Sequence, residues 1–126
     1  MNEFNNSIII YQPNTDQPAI DVRIEGETVW LSQRQMSVLF DTSSDNVGLH
    51  LKNIYAEGEL LEEATTEDFS VVRQEGTRQV RRSVRHYNLD AIISVGYRVK
   101  SATATQFRIW ATKRLREYLV QGYSIN

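Results

Sequence analysis

Four arginines stand within eight residues of one another: Arg78, Arg81, Arg82 and Arg85. Guanidinium groups at that density neutralise phosphates and release their counterions, which supplies the sequence-independent share of nucleic-acid affinity. Upstream, Ser43, Ser44, Asn46, His50 and Asn53 are short hydrogen-bonding side chains at spacings that a helix can present outward. Such groups can reach base edges, and asparagine pairs in bidentate fashion with adenine. Arg108, Lys113 and Arg116 form a second, sparser cationic set. These types suit phosphate contact and base reading on double-stranded DNA. Two other accounts compete: a solvated polar helix face, and a basic surface that meets an acidic protein or the chain's own acidic half.

The charge distribution sharpens both accounts. The net charge of the 126 residues is only −2, but the signs are segregated. Residues 1–68 hold thirteen acidic and three basic side chains, and residues 69–116 hold eleven basic and two acidic ones. An apolar fraction of 40% and a charged fraction of 24% describe a globular domain, and the length suits one domain. No apolar run approaches the roughly 20 residues of a membrane helix, and Met1-Asn2-Glu3 does not open a signal peptide. With no cysteine, disulfides and thiolate chemistry are excluded, and a cytoplasmic location is expected.

Catalysis is not expected. The two histidines, His50 and His86, fall in different elements. No paired carboxylates, metal-ligand spacing or glycine-rich phosphate loop stands out, so no catalytic residue, metal or cofactor is assigned.

The elements that must position these groups follow from periodicity. Ile8–Tyr11 and the alternating run Ala19–Ile24 read as strands, with Glu25-Gly26-Glu27 turning into Thr28–Leu31. Ser32 and Gln35 form a capping box that opens a helix. Thr42 with Asp45 opens a second helix, whose buried stripe is Val47, Leu51, Ile54 and Tyr55 and whose stop is Gly58. Two short helices and a tight turn outline a helix-turn-helix with Thr42–Tyr55 as its recognition helix. After an acidic linker, Glu57–Asp68, strands at Phe69–Arg73 and Gln79–Tyr87 flank a turn containing Gly76. A basic hairpin after a helix-turn-helix is the arrangement of a winged helix.

Two helices close the chain. The first is capped by Asn88 and apolar almost all round. The second is capped by Thr103 and ends at Gly122, with Tyr97 and Trp110 as packing residues. The expected fold is therefore α+β within 1–126: a small antiparallel sheet (1–31), a winged-helix-like helix-turn-helix (32–58), a basic β-hairpin (69–87) and a helical pair (88–122).

Four blocks carry a resemblance. Trp30–Met36, His50–Leu60, His86–Val99 and Thr105–Thr112 resemble the virulence RhuM family, and Tyr97–Gly122 is similar to the end of the Bro-N and KilA-N domains of phage antirepressors. The resemblance implies a bacterial or prophage protein, often on a mobile island, with an expected role in DNA binding and regulation. It carries no settled biochemical activity. Relatives of this kind are usually longer, so the chain reads as an N-terminal module or a short form. A C-terminal domain, a homodimer or a protein partner are further associations it allows. The alternative is a protein-interaction module of a toxin-like or virulence-associated effector that does not touch DNA.

Overall fold

The computed structural model describes residues 7–125, so the first six residues of the expected sheet region lie outside it. In chain order the elements are β1 (Ser7–Tyr11), β2 (Ile20–Glu25), β3 (Thr28–Ser32), α1 (Gln33–Leu39), α2 (Ser44–Ala56), α3 (Glu62–Thr65), β4 (Thr66–Glu75), β5 (Arg78–Asn88), α4 (Leu89–Val99) and α5 (Ser101–Ile125). The five strands form one antiparallel sheet in the order β1-β2-β3-β5-β4. The α+β class is therefore as expected.

Turn chemistry sets the strand registers. Gly26 and Glu27, at φ 62° and 65°, join β2 to β3 through a two-residue loop closed by the Glu25–Thr28 pair. Two successive positive φ values match the type I′ turn that the twist of a hairpin favours. Gly76, at φ 64°, opens the loop of the β4–β5 hairpin, closed by Glu75 and Arg78.

Alternation then separates the two sheet faces. Ile20, Val22, Ile24, Val29, Leu31 and Tyr87 point into the main core, where they share a buried cluster with Met36, Phe40, Val47, Ile54, Ile92, Val95 and Phe107. Burying each large aliphatic or aromatic side chain contributes about 1.5–3 kcal/mol. Phe107 meets Tyr11 edge to face at 5.1 Å, and Trp110 packs on the same ring at 4.7 Å. Trp110 is thus the packing residue it was expected to be.

The opposite sheet face holds a smaller aromatic cluster. Phe69 packs edge to face on Trp30 and on His86, and the Arg23 guanidinium lies 4.4 Å from the Phe69 ring centre. His86 is buried at 5% exposure, with Nδ1 2.8 Å from the Val84 carbonyl.

Several boundaries differ from the sequence expectation. Ser43, not Thr42, caps α2: its Oγ accepts from the Asn46 amide at 3.0 Å, and Thr42 Oγ1 accepts instead from Asn46 Nδ2 at 2.9 Å. The acidic linker contains α3 and the first residues of β4. Helix α5 starts at Ser101, two residues before the expected cap, and continues through Gly122 to Ile125. Lys100 caps it with backbone alone, its carbonyl accepting from the Ala104 amide at 3.1 Å. Tyr97 is 49% exposed and not a packing residue; its hydroxyl instead pairs with Arg108 and Thr105. Among the described residues no helix is long and apolar enough to cross a membrane.

Candidate nucleic-acid interface

The α1–α2 unit is built from local hydrogen bonds that its sequence specifies. Ser32 Oγ accepts from the Gln35 amide at 3.2 Å while Gln35 Oε1 accepts from the Ser32 amide at 2.9 Å, completing the capping box. Gln35 Nε2 also donates to the Asp21 carbonyl at 2.7 Å and so ties α1 to β2. At the other end of α1, the Thr42 amide donates to the Ser37 carbonyl and the Asp41 amide to the Val38 carbonyl. This is a Schellman motif with Asp41 in the left-handed position at φ 53°.

Gln33 Nε2 then reaches across to the Ser44 carbonyl at 2.8 Å. Gly48 leaves the space for this crossing, since a Cβ there would lie 2.7 Å from Gln33 Nε2. Gly58, at φ 76°, ends α2 with the same pair of reversed bonds, its own amide donating to the Tyr55 carbonyl and the Glu59 amide to the Ile54 carbonyl.

These constraints fix which side of α2 faces outward. Val47, Leu51 and Ile54 are buried. Asn46, His50 and Asn53 form a half-buried row along one flank, and the Nδ1 of His50 is buried with no protein partner. Ser43 and Ser44 are exposed, but both serve the scaffold, one as the α2 cap and the other as acceptor for Gln33. The outermost row is Asp45, Leu49 and Lys52. Sequence reasoning passed over this row because an apolar residue reads as core. The available signal was angular: at about 100° per residue, Leu49 lies roughly 200° from Val47 and so opposite the core stripe.

The hairpin presents its cations on two faces. β3 pairs with β5 only at His86–Asn88, so β4 and β5 beyond that point form a two-stranded ribbon. Arg81 and Arg85 lie on the face that carries Tyr87 into the helical side, whereas Arg78 and Arg82 share the opposite face with Val80, Val84 and Arg73. The predicted wing set is therefore split across the ribbon.

Part of the charge segregation is satisfied internally. Arg85 pairs with Glu62 at 3.0 Å and Asp68 at 3.6 Å, Arg98 with Glu57 and Glu59 at 2.8 Å each, and Lys100 with Asp41 at 3.7 Å. The hydrogen bond from Arg98 holds the Glu59 carboxyl below its usual range, with a smaller contribution from Ser94. Within the ribbon, Arg82 grips Glu75 through two bonds of 2.8 and 3.1 Å. Arg81 donates to Ser70 Oγ at 3.3 Å. Arg78, Arg81, Lys113 and Arg116 enter no ion pair among the described residues, and Arg108 is bonded to Tyr97. Helix α5, which carries the last set, packs mainly against α4 and β3, and through Phe107 and Trp110 against Tyr11 of β1.

The arrangement offers an exposed helix, an exposed cationic ribbon and a separate cationic helix on an α+β scaffold. The sequence profile of the virulence protein RhuM family matches residues 64–126, half of the chain, and the chain belongs to that family. The matched half runs from the end of α3 through the ribbon to α5. It includes the blocks His86–Val99 and Thr105–Thr112, while Trp30–Met36 and His50–Leu60 precede it. No curated protein and no solved structure matches the chain.

Proposed function

We propose that this chain is a DNA-binding, regulatory module of a cytoplasmic bacterial or prophage protein, winged-helix-like in its central part and without catalytic activity. The recognition helix is α2 and the wing is the β4–β5 ribbon. The observation that carries this reading is topological: β3, α1, α2, β4 and β5 follow in order, and β5 pairs between β3 and β4. A winged helix requires that connection, because the hairpin must return beside the strand that precedes the helix pair. Arg78 and Arg81, which enter no ion pair among the described residues, support phosphate contact from the ribbon. Arg82 is half-exposed and joins them once Glu75 lets go. Ser43, Ser44, Asn46, His50 and Asn53 flank the helix surface that enters the major groove, and Lys113 and Arg116 give a weaker second phosphate site.

The test is fluorescence anisotropy of a labelled random-sequence duplex, titrated from low to physiological salt. The reading expects binding whose logarithm falls linearly with log salt, at about 0.9 per phosphate neutralised. A folded chain that leaves the duplex free at low salt overturns it.

A second reading, a protein-interaction module of a virulence-associated effector, is favoured by Ile109 and Leu119, which stand exposed on α5. DNA affinity separates the two.

A further inference from the structure

The outward row of α2 has a composition that phosphate contact does not explain. Asp45, Leu49 and Lys52 recur at i, i+4 and i+7, opposite the buried Val47, Leu51 and Ile54. Leu49 is 54% exposed in the middle of that row. It has no donor or acceptor, so it cannot read the hydrogen-bonding edge of a base. The one apolar feature that a base pair shows in the major groove is the 5-methyl group of thymine. Lys52 lies about one turn further on, and lysine donates to the O6 and N7 of guanine. At 1.5 Å per residue, the row from Asp45 to Lys52 spans about 10 Å, close to the length of three stacked base pairs.

We infer that Leu49 is a specificity-determining residue that covers a thymine methyl, with Lys52 directed to a guanine within about two base pairs of it. The inference rests on the DNA-binding reading and deepens it. It assigns base selection to the outermost row of α2 and leaves Asn46, His50 and Asn53 as its flank. Asp45, at the leading end, counts against phosphate contact there and can only accept a hydrogen bond, as from the N4 amino group of cytosine.

The experiment starts by selecting duplexes from a randomised library with the full chain at low salt. Each thymine of the selected site is then replaced singly by deoxyuridine, which lacks only the methyl group, and binding is measured by anisotropy. For the unsubstituted chain, one replacement is expected to weaken binding about 4-fold, the value of one buried methyl. In Leu49→Ala that same replacement should change binding less than 2-fold, while the salt slope on a random duplex stays at the level of the parent chain, since leucine neutralises no phosphate. Leu49 is exposed and alanine favours helix, so the variant folds. The inference is overturned if no deoxyuridine position matters, if the loss persists undiminished in Leu49→Ala, or if selection yields no preferred site while random duplex still binds. Absence of binding to any duplex removes the DNA-binding reading itself and the inference with it.

Discussion

Arg85 Nη1 lies 3.0 Å from a Glu62 carboxylate oxygen, so a cation of the ribbon is held by an acid of α3. Both side chains are about half exposed, and Asp68 adds a second contact at 3.6 Å. An exposed pair of this kind contributes about 0–1 kcal/mol to stability. Its larger consequence is electrostatic, because a guanidinium already neutralised by two carboxylates releases fewer counterions when it meets a phosphate. Arg81→Ala should therefore lower the salt slope of DNA binding by about one unit, and Arg85→Ala by clearly less. Equal slopes for the two variants would mean that the internal pairs open completely on binding.

The same reasoning applies at the tip. Arg82 is engaged by Glu75 through two hydrogen bonds. Glu75→Gln removes the competing charge and should tighten binding to random duplex and steepen the salt slope, with little change in thermal stability. Weaker binding by Glu75→Gln in the anisotropy titration would count against a phosphate role for Arg82.

Burial pushes the His86 imidazole below its ordinary value of 6.5, and Arg23 pushes it the same way, while the Val84 carbonyl and Asp68 act in the opposite sense. The unfolded chain therefore takes up this proton at a higher pH than the folded one. Stability from the neutral ring is present above about pH 6.5 and is lost as pH falls through that value toward the lower folded pKa. Urea midpoints measured between pH 7.5 and 5.5 should fall for the parent chain and stay flatter in His86→Phe. A parallel fall in both would assign the dependence to other groups.

Gly96 is where α4 approaches Phe40 and Ala104. A Cβ at this position would lie 2.6 Å from both side chains, so Gly96→Ala should cost about 1–3 kcal/mol by overpacking. Asp41 is the reverse case. It holds φ 53° at the end of α1, with its carboxylate 89% exposed in a 3.7 Å contact with Lys100. Asp41→Gly relieves the left-handed strain and should raise the melting temperature or leave it unchanged. A marked drop would show that the Lys100 contact matters more than the backbone.

The features legible in the sequence are those whose causes are local. The Ser32–Gln35 box, the Asn88 cap, and the glycines at 26, 58 and 76 each act within a few residues, and each stands where the pattern put it. The buried stripe of α2 was equally legible through Val47, Leu51 and Ile54. Its outward row could be read from the same angle, but the partial covering of Asn46, His50 and Asn53 could not, because it depends on where α1 and α4 pack. The cap at Thr103 failed for a related reason: Lys100 starts α5 with its carbonyl, which leaves no side-chain signature. The hairpin arginines were visible as a cluster. Strand alternation already sets Arg81 and Arg85 opposite Val80 and Val84, whereas the capture of Arg82 and Arg85 by carboxylates emerges only from the folded structure.

The central claim is that α2 and the β4–β5 ribbon form one DNA-facing surface. Amide chemical-shift mapping of the isotopically labelled chain against a random-sequence duplex at low salt tests it most directly. The account predicts shifts concentrated in residues 43–53 and 73–85, with β1 and β2 unaffected. Shifts absent from both of those segments, or confined to α5, would contradict it.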